Sequence, residues 1–226
     1  MKLVHFQRAP RGTTILLVLA HTLFGQIPNP QAMITEALKP FITLRTYRGE
    51  FMRTYANSST KECVDYHRIV MADGPHKRYI DQSVPVHLIT IMSDDTIWLY
   101  APEKLQYHQR PFEKNLEPSE ITSLQRIASL EIVGASLLPA ETLSVNGKVY
   151  DCNVVEANFR LNSKSPQVTV TFFMDSDKCL RRVVESGGGN VITTTILSLE
   201  PDVQFPDSQF QFVPPSNATR VVARFE

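Results

Sequence analysis

Most of the chain alternates hydrophobic and polar residues with a period of two, which is typical of β-strands that bury one face. The clearest example is Val168, Val170, Phe172 and Met174, whose apolar side chains alternate with threonines. Runs of this kind predict about a dozen short strands, at 47–55, 62–71, 77–81, 86–93, 96–100, 105–110, 137–145, 149–161, 167–175, 180–186, 191–199, 209–213 and 219–225.

Two segments have helical periodicity instead. The first is predicted at 31–44, with Asn29 as N-cap, Pro30 at the first helical position and Pro40 bending or ending the helix early. The second begins near Pro118, and its apolar stripe includes Ile121, Leu124 and Ile127.

The predicted strands are joined mostly by short turns, among them the two-residue hairpin signal Asn146-Gly147. No linker or internal repeat divides the chain, so we expect one mainly β domain with an antiparallel, meander-like sheet. A sheet of this length curls, closes or is covered by helices. Its apolar face is then either a packed core or a surface that a ligand fills, and periodicity alone does not separate these alternatives.

The first 25 residues have the pattern of a secretory signal peptide. Basic Lys2, Arg8 and Arg11 precede an apolar stretch at 13–24 that is shorter than the roughly 20 residues needed to span a bilayer. Gly25 is predicted to be the last residue of the signal peptide, immediately before the cleavage site. We therefore expect a signal peptide at 1–25 and an exported mature domain at 26–226.

Charge and cysteine content refine this picture. The chain has 23 basic and 23 acidic residues, so it has no electrostatic reason to bind nucleic acid. Cys63, Cys152 and Cys179 would occupy an oxidising compartment. Cys152 and Cys179 flank a predicted hairpin that brings them close together, which predicts a disulfide between them. The alternative is that all three are small buried hydrophobic residues.

The sequence contains no recognisable active site. Cys63, Asp65 and His67 share a strand face, but no closely spaced ligand pairs accompany them, and a polar sheet face explains them. A strand also holds residues 63 and 67 about 13 Å apart, which is too far for a Cys–His nucleophile. The carboxylates of Asp175 and Asp177 are explained by a turn. We expect no catalysis, metal or cofactor.

Two segments resemble one protein family. Residues 93–102 read SDDTIWLYAP, similar to a strand pair with the pattern dG-x-x-v-W-x-Y-d-p, and residues 205–216 read FPDSQFQFVPPS, similar to an ending with the pattern p-x-x-x-F-x-F-x-P-P-x-g. Residues 145–150 and 173–175 fall between them in the matching order. The resemblance is to the outer-membrane lipoprotein carrier (LolA-like) family and spans roughly residues 30–225.

This resemblance implies an unclosed, strongly curved antiparallel half-barrel of about 11–12 strands, with an N-terminal and an inserted helix over its concave face. It implies a monomeric periplasmic carrier or sensor that binds lipid or lipoprotein acyl chains without catalysis, together with membrane-bound donor or acceptor proteins. The competing interpretation is an envelope protein–protein interaction module with a packed core and no lipid site.

The candidate groove residues are apolar or aromatic and come from predicted strands and from the inserted helix. Each of them could equally be an ordinary core residue. They are Phe51, Trp98, Tyr100, Val168, Val170, Phe172, Met174, Ile121, Leu124 and Ile127.

Overall fold

The computed structural model describes residues 29–93, 95–112, 120–161 and 165–222. In this part of the chain it contains two α-helices, two short 3-10 helices and twelve strands. The helices are α1 (Pro30–Ile42) and α2 (Glu120–Ala128), and the 3-10 helices are Pro102–Lys104 and Asp207–Phe210. The strands are β1 (Thr46–Asn57), β2 (Cys63–Asp73), β3 (Lys77–Val84), β4 (Leu88–Ser93), β5 (Thr96–Ala101), β6 (Gln106–Pro111), β7 (Glu131–Val145), β8 (Lys148–Arg160), β9 (Val168–Met174), β10 (Leu180–Gly187), β11 (Asn190–Pro201) and β12 (Thr219–Arg220).

All twelve strands belong to one sheet, in the order β12-β6-β5-β4-β3-β2-β1-β11-β10-β9-β8-β7. Pairing is antiparallel throughout except between β12 and β6, and β1 pairs with β11 to join the two meanders. Strands β12 and β7 are the two ends of the sheet and do not pair with each other. The predicted mainly β, unclosed half-barrel is therefore confirmed.

Helix α1 begins where the sequence predicts. The Asn29 side-chain oxygen accepts hydrogen bonds from the backbone N–H groups of Gln31 and Ala32 at 3.0 and 3.5 Å, and Pro30 is the first helical residue. Pro40 lies inside the last turn, and the helix ends at Ile42. Both helices cover one face of the sheet, which we call the concave face, and the opposite face is the convex face.

The main core lies between the helices and the concave face. It combines the buried side of α1, the apolar stripe of α2 and alternate residues of β1, β2 and β8–β11. The buried residues of α1 are Ile34, Ala37, Leu38 and Phe41. This arrangement follows from the sequence, because apolar residues recur at about every second position in the strands and every 3.6 positions in the helices. Each helix and the sheet therefore have one apolar face, and these faces pack against each other.

The end of the chain differs from the prediction. Residues 209–213 do not form a strand, and Asp207–Phe210 is a 3-10 helix that inserts Phe210 until it is 1% exposed. Of the predicted strand at 219–225, only Thr219–Arg220 is extended as a strand within the described residues. This part of the chain passes over the convex face and reaches the edge of β6, so tertiary packing decides its conformation.

The predicted Cys152–Cys179 disulfide is not formed. All three cysteines are free thiols, with Cys152 buried and Cys63 and Cys179 exposed. The sheet register pairs Asn153 with Met174, which places Cys152 in a small core cluster on the convex side while Cys179 lies in the exposed β9–β10 turn. Their side chains therefore occupy different environments.

Two further predictions concern the N-terminus and the membrane. The signal peptide predicted at 1–25 lies outside the described residues. Within the described residues, neither helix is both long enough and apolar enough to cross a bilayer.

Candidate functional site

Eight of the ten predicted groove residues lie together beneath the helices. Seven of them are at most 2% exposed, and Val168 is half-buried at the border of the same cluster. Phe159 and Phe172 are in ring contact at its centre, with centroids 5.9 Å apart. The structure therefore brings this set together as a packed core that the helices cover. The eight are Phe51, Ile121, Leu124, Ile127, Val168, Val170, Phe172 and Met174.

Trp98 and Tyr100 lie on the convex face, so the structure does not bring them to the apolar groove. Their rings contact Phe212 of the C-terminal segment, with centroids 5.2 and 5.5 Å away. The alternate residues of β5, Ile97 and Leu99, are the ones that point to the concave side and line a cavity there. Both sets are apolar, so the alternation on this strand did not indicate which set faces inward.

Two open crevices flank helix α1 and lead toward the core. The first has a volume of about 320 Å³ and lies between the beginning of α1 and the β9–β10 turn. Ala32, Met33 and Met174 form much of its apolar wall. The second has a volume of about 460 Å³ and is lined by Phe41 and Leu180 among others. The crevices share Glu36 and Lys178, so they adjoin across α1.

The β9–β10 turn that borders both crevices is held by Asp175, which is 4% exposed. Its Oδ1 accepts hydrogen bonds from the backbone N–H groups of Asp177 and Cys179 at 3.0 and 2.9 Å. Its Oδ2 accepts from Arg181 Nε at 2.7 Å, and the Arg181 guanidinium also stacks over the Tyr150 ring. The predicted turn at Asp175–Asp177 is confirmed, whereas the role of Arg181 had no signal in the sequence.

Helix α2 is attached to its surroundings by two polar contacts that the sequence did not predict. Gln125 Nε2 donates to the carbonyl oxygens of Phe41 and Leu44 at 2.9 and 3.2 Å, which links α2 to the end of α1. Arg126 forms an ion pair with Glu185 of β10 at 3.3 Å, and the Glu185 side chain is 10% exposed. These contacts hold α2 over the concave face.

The convex face of β1–β3 carries polar cross-strand pairs. His67 Nε2 lies 2.8 Å from Glu50 Oε1, and its Nδ1 lies 2.8 Å from Ser83 Oγ. Asp65 accepts a hydrogen bond from Thr54 at 2.6 Å. Within the described ranges, no group of three or more His, Cys, Asp or Glu side chains is arranged to hold a metal ion.

Comparisons with known proteins identify the fold. LprF, a protein from Mycobacterium bovis, has a solved structure that is 10% identical and superposes with a TM-score of 0.54, covering 79% of this chain and 96% of that chain. This chain has the fold of LprF. At this identity the similarity to LprF is one of fold alone, and the fold is the unclosed half-barrel that the sequence predicts.

Two further similar structures have TM-scores below 0.5. A LolA superfamily protein from Nitrosomonas europaea is 13% identical, with a TM-score of 0.42 over 82% of this chain and 98% of that chain. The lipoprotein LppX from Mycobacterium tuberculosis is 12% identical, with a TM-score of 0.45 over 74% of this chain and 92% of that chain. No family model and no curated protein matches the sequence.

Proposed function

We propose that this protein binds acyl chains of a lipid or lipoprotein against its concave face, with helix α1 as the movable cover. The observation that carries the proposal is the pair of apolar crevices, of about 320 and 460 Å³, that flank α1 and reach the core cluster. Volumes of this size are those of small-molecule sites in proteins. The similarity to a LolA-like fold supports the same function.

The energetics favour exchange of α1 for an acyl chain. The large buried side chains that α1 contributes are Ile34, Leu38 and Phe41, which together stabilise the closed form by roughly 5–9 kcal/mol. A chain of about fourteen methylenes gains roughly 11 kcal/mol when it is buried, at 0.8 kcal/mol for each methylene. By this comparison the burial of a long acyl chain matches or exceeds that of the helix side chains, whereas the burial of a short one does not.

Cellular location and partners extend the proposal. The signal-peptide pattern at 1–25 supports export of a mature domain at 26–226 to the periplasm. There the protein would act without a cofactor, as a carrier or a sensor, and exchange its cargo with membrane-bound donor or acceptor proteins. Binding without catalysis is the function that we propose.

The chain offers a built-in test through its exposed cysteines. Cys179 lines the larger crevice, and Cys63 lies at the beginning of β2. Cys152 is buried, and burial, followed by the nearby Asp175 charge, raises the pKa of its thiol, so it should react slowly with maleimides. Attaching a bulky maleimide to Cys179 in a Cys63→Ser variant should strongly reduce uptake of a fluorescent long-chain fatty acid.

The matched control is the same label on Cys63 in a Cys179→Ser variant, which should leave uptake unchanged. Native mass spectrometry of the unlabelled protein should show one bound lipid that is lost on delipidation. If the unlabelled protein takes up no fatty acid and carries no lipid, the carrier proposal fails. The better interpretation would then be that the protein is an envelope interaction module with a packed core and no lipid site. Equal uptake with either label would show that the larger crevice, which Cys179 lines, is not part of the binding site.

A further inference from the structure

A third cavity lies on the concave face, in the half of the sheet formed by β2–β6. Its volume is about 180 Å³, and its wall is mostly apolar. Ile80 lines this cavity and also packs against the main core, so the cavity adjoins the surface that the proposed acyl chain would occupy. Its lining residues on β2 and β6 include two arginines, Arg68 and Arg110.

Arg110 is placed unusually for a cation. Its Nε is buried and has no hydrogen-bond partner among the described residues. A guanidinium keeps its charge at any physiological pH, so burial cannot be relieved by loss of a proton. Arg68 lies in the same cavity, where its Nε donates to the neutral Gln82 Oε1 at 3.0 Å and its guanidinium stacks over the Tyr66 ring. The cavity therefore presents the buried, unpartnered Nε of Arg110 beside an apolar wall.

In the half of the sheet formed by β1–β6, the acidic side chains of the strands all lie on one face. The register and the strict alternation of side chains place Glu50, Asp65, Asp73 and Asp81 on the convex face. No carboxylate of β1–β6, all of whose residues are described, points to the concave face. The concave face of these strands instead carries Arg53, Arg68, Arg78 and Arg110. An anion in this cavity would thus meet the buried Arg110 donor on a face to which β1–β6 direct no carboxylate.

We propose that this cavity binds the anionic headgroup of an amphiphile, with Arg110 as its donor and the tail directed past Ile80 toward the core. The inference rests on the proposed acyl-chain function and adds the chemical class of the ligand. A volume of about 180 Å³ equals roughly six water molecules. It accommodates a carboxylate or a phosphate with a few carbons, but not a long chain. The planar fork of a guanidinium matches both anions in a bidentate geometry.

The first experiment compares two probes of the same chain length on the mature wild-type protein, namely palmitate and hexadecanol. A charge-assisted contact should make palmitate bind at least about tenfold more tightly than the alcohol, measured by displacement of a fluorescent fatty acid at pH 8. Arg110→Met should remove most of this preference while hexadecanol affinity stays within about twofold. Arg110→Lys should retain part of it.

Arg48→Met is the matched control, because Arg48 is an exposed arginine on the other face of β1. It should leave the preference unchanged. The thermal unfolding midpoint of Arg110→Met should equal or exceed that of the wild type, since an unsatisfied buried donor is removed. If Arg110→Met does not fold, the two-probe comparison on the wild type and the Arg110→Lys variant still decide the question.

The outcomes separate this inference from the proposed function. Equal binding of palmitate and hexadecanol, unaffected by Arg110→Met, would overturn the headgroup site and leave acyl-chain binding intact. Binding of neither probe would overturn both. Binding of inorganic phosphate that depends on Arg110, without preference for palmitate over hexadecanol, would identify a free-anion site and overturn the amphiphile. Tighter binding of hexadecyl phosphate than of palmitate, which has the same chain length, would support the site and identify a phosphate headgroup.

Discussion

Gly49 lies on strand β1 beside the buried ring of Phe51. It lies opposite Val70 on β2 and Leu199 on β11, and a methyl group at this position would overlap the ring of Phe51. Phe51 is fully buried, so its ring has no free space into which to move. The absence of a side chain at residue 49 therefore allows the Phe51 ring to lie flat along its own strand, which packs the centre of the sheet.

Gly49→Ala is expected to lower the free energy of unfolding by about 1–3 kcal/mol, because overpacking forces a buried ring off its rotamer. Gly134→Ala is the control, since a methyl group there would meet nothing within 4 Å. Its effect should lie within about 0.5 kcal/mol. Urea unfolding of both variants measures the difference, and a Gly49→Ala variant as stable as the parent would contradict the packing described for Phe51.

At the scale of elements, residues 201–222 form a C-terminal segment that covers the aromatic patch on the convex face. The Phe212 ring lies 5.2, 5.5 and 5.7 Å from the ring centroids of Trp98, Tyr100 and Tyr107. The segment is also tied to the sheet by hydrogen bonds from β12 to β6, with Thr219 N–H donating to the Leu105 carbonyl at 2.8 Å. Without this segment, a large apolar patch would face solvent.

Trp98 is the only tryptophan of the chain, so its fluorescence reports the docking of this segment. Phe212→Ala should shift Trp98 emission to longer wavelength and lower stability by roughly 1–3 kcal/mol, because a half-buried aromatic contact is lost. Val213→Ala is the adjacent control, since Val213 is 80% exposed and should change neither property. An unshifted emission maximum in Phe212→Ala would show that the segment does not shield Trp98 in solution.

At the scale of the whole molecule, the unclosed sheet leaves two edges that differ greatly in length. The β12 edge has only two residues, whereas β7 is a 15-residue edge strand that pairs only with β8. Exposed Leu137 and Val133 lie on this strand. Pro139 and a register shift between Leu138 and Glu141 interrupt the edge near its middle. Proline lacks an N–H donor, so it prevents continuous pairing with a second chain.

Pro139→Val should therefore promote self-association, because it restores an unbroken apolar edge with free hydrogen-bonding groups. Sedimentation velocity over a concentration series should show the wild type as a monomer and the variant shifting toward dimers or larger species. Ala140→Val adds the same apolar character next to the proline and should remain monomeric. A monomeric Pro139→Val variant would show that the bulge alone protects the edge.

The sequence by itself determined most of the elements up to residue 201 and the antiparallel pairing of the strands. Apolar residues at every second position indicate the strands, and the cap at Asn29 marks the beginning of α1. The Asn146-Gly147 turn, whose residues have φ of 49° and 74°, marks the β7–β8 hairpin. These signals are local, because steric limits on the backbone act within a few residues. The unclosed half-barrel fold followed from them and from short motifs.

Only the tertiary structure decided which face each strand turns inward and whether the groove is open. On β5, Ile97 and Leu99 are as apolar as Trp98 and Tyr100, so either set could have faced the helices. Curvature and the C-terminal segment, which depend on contacts distant in sequence, placed the aromatic pair outside. The same long-range packing separated Cys152 from Cys179, closed α1 over the core and left Arg110 beside an apolar cavity. Alternation with a period of two shows which residues share a face of the sheet, but it does not show which face turns inward. That choice is made only when the whole sheet folds and its distant parts come into contact.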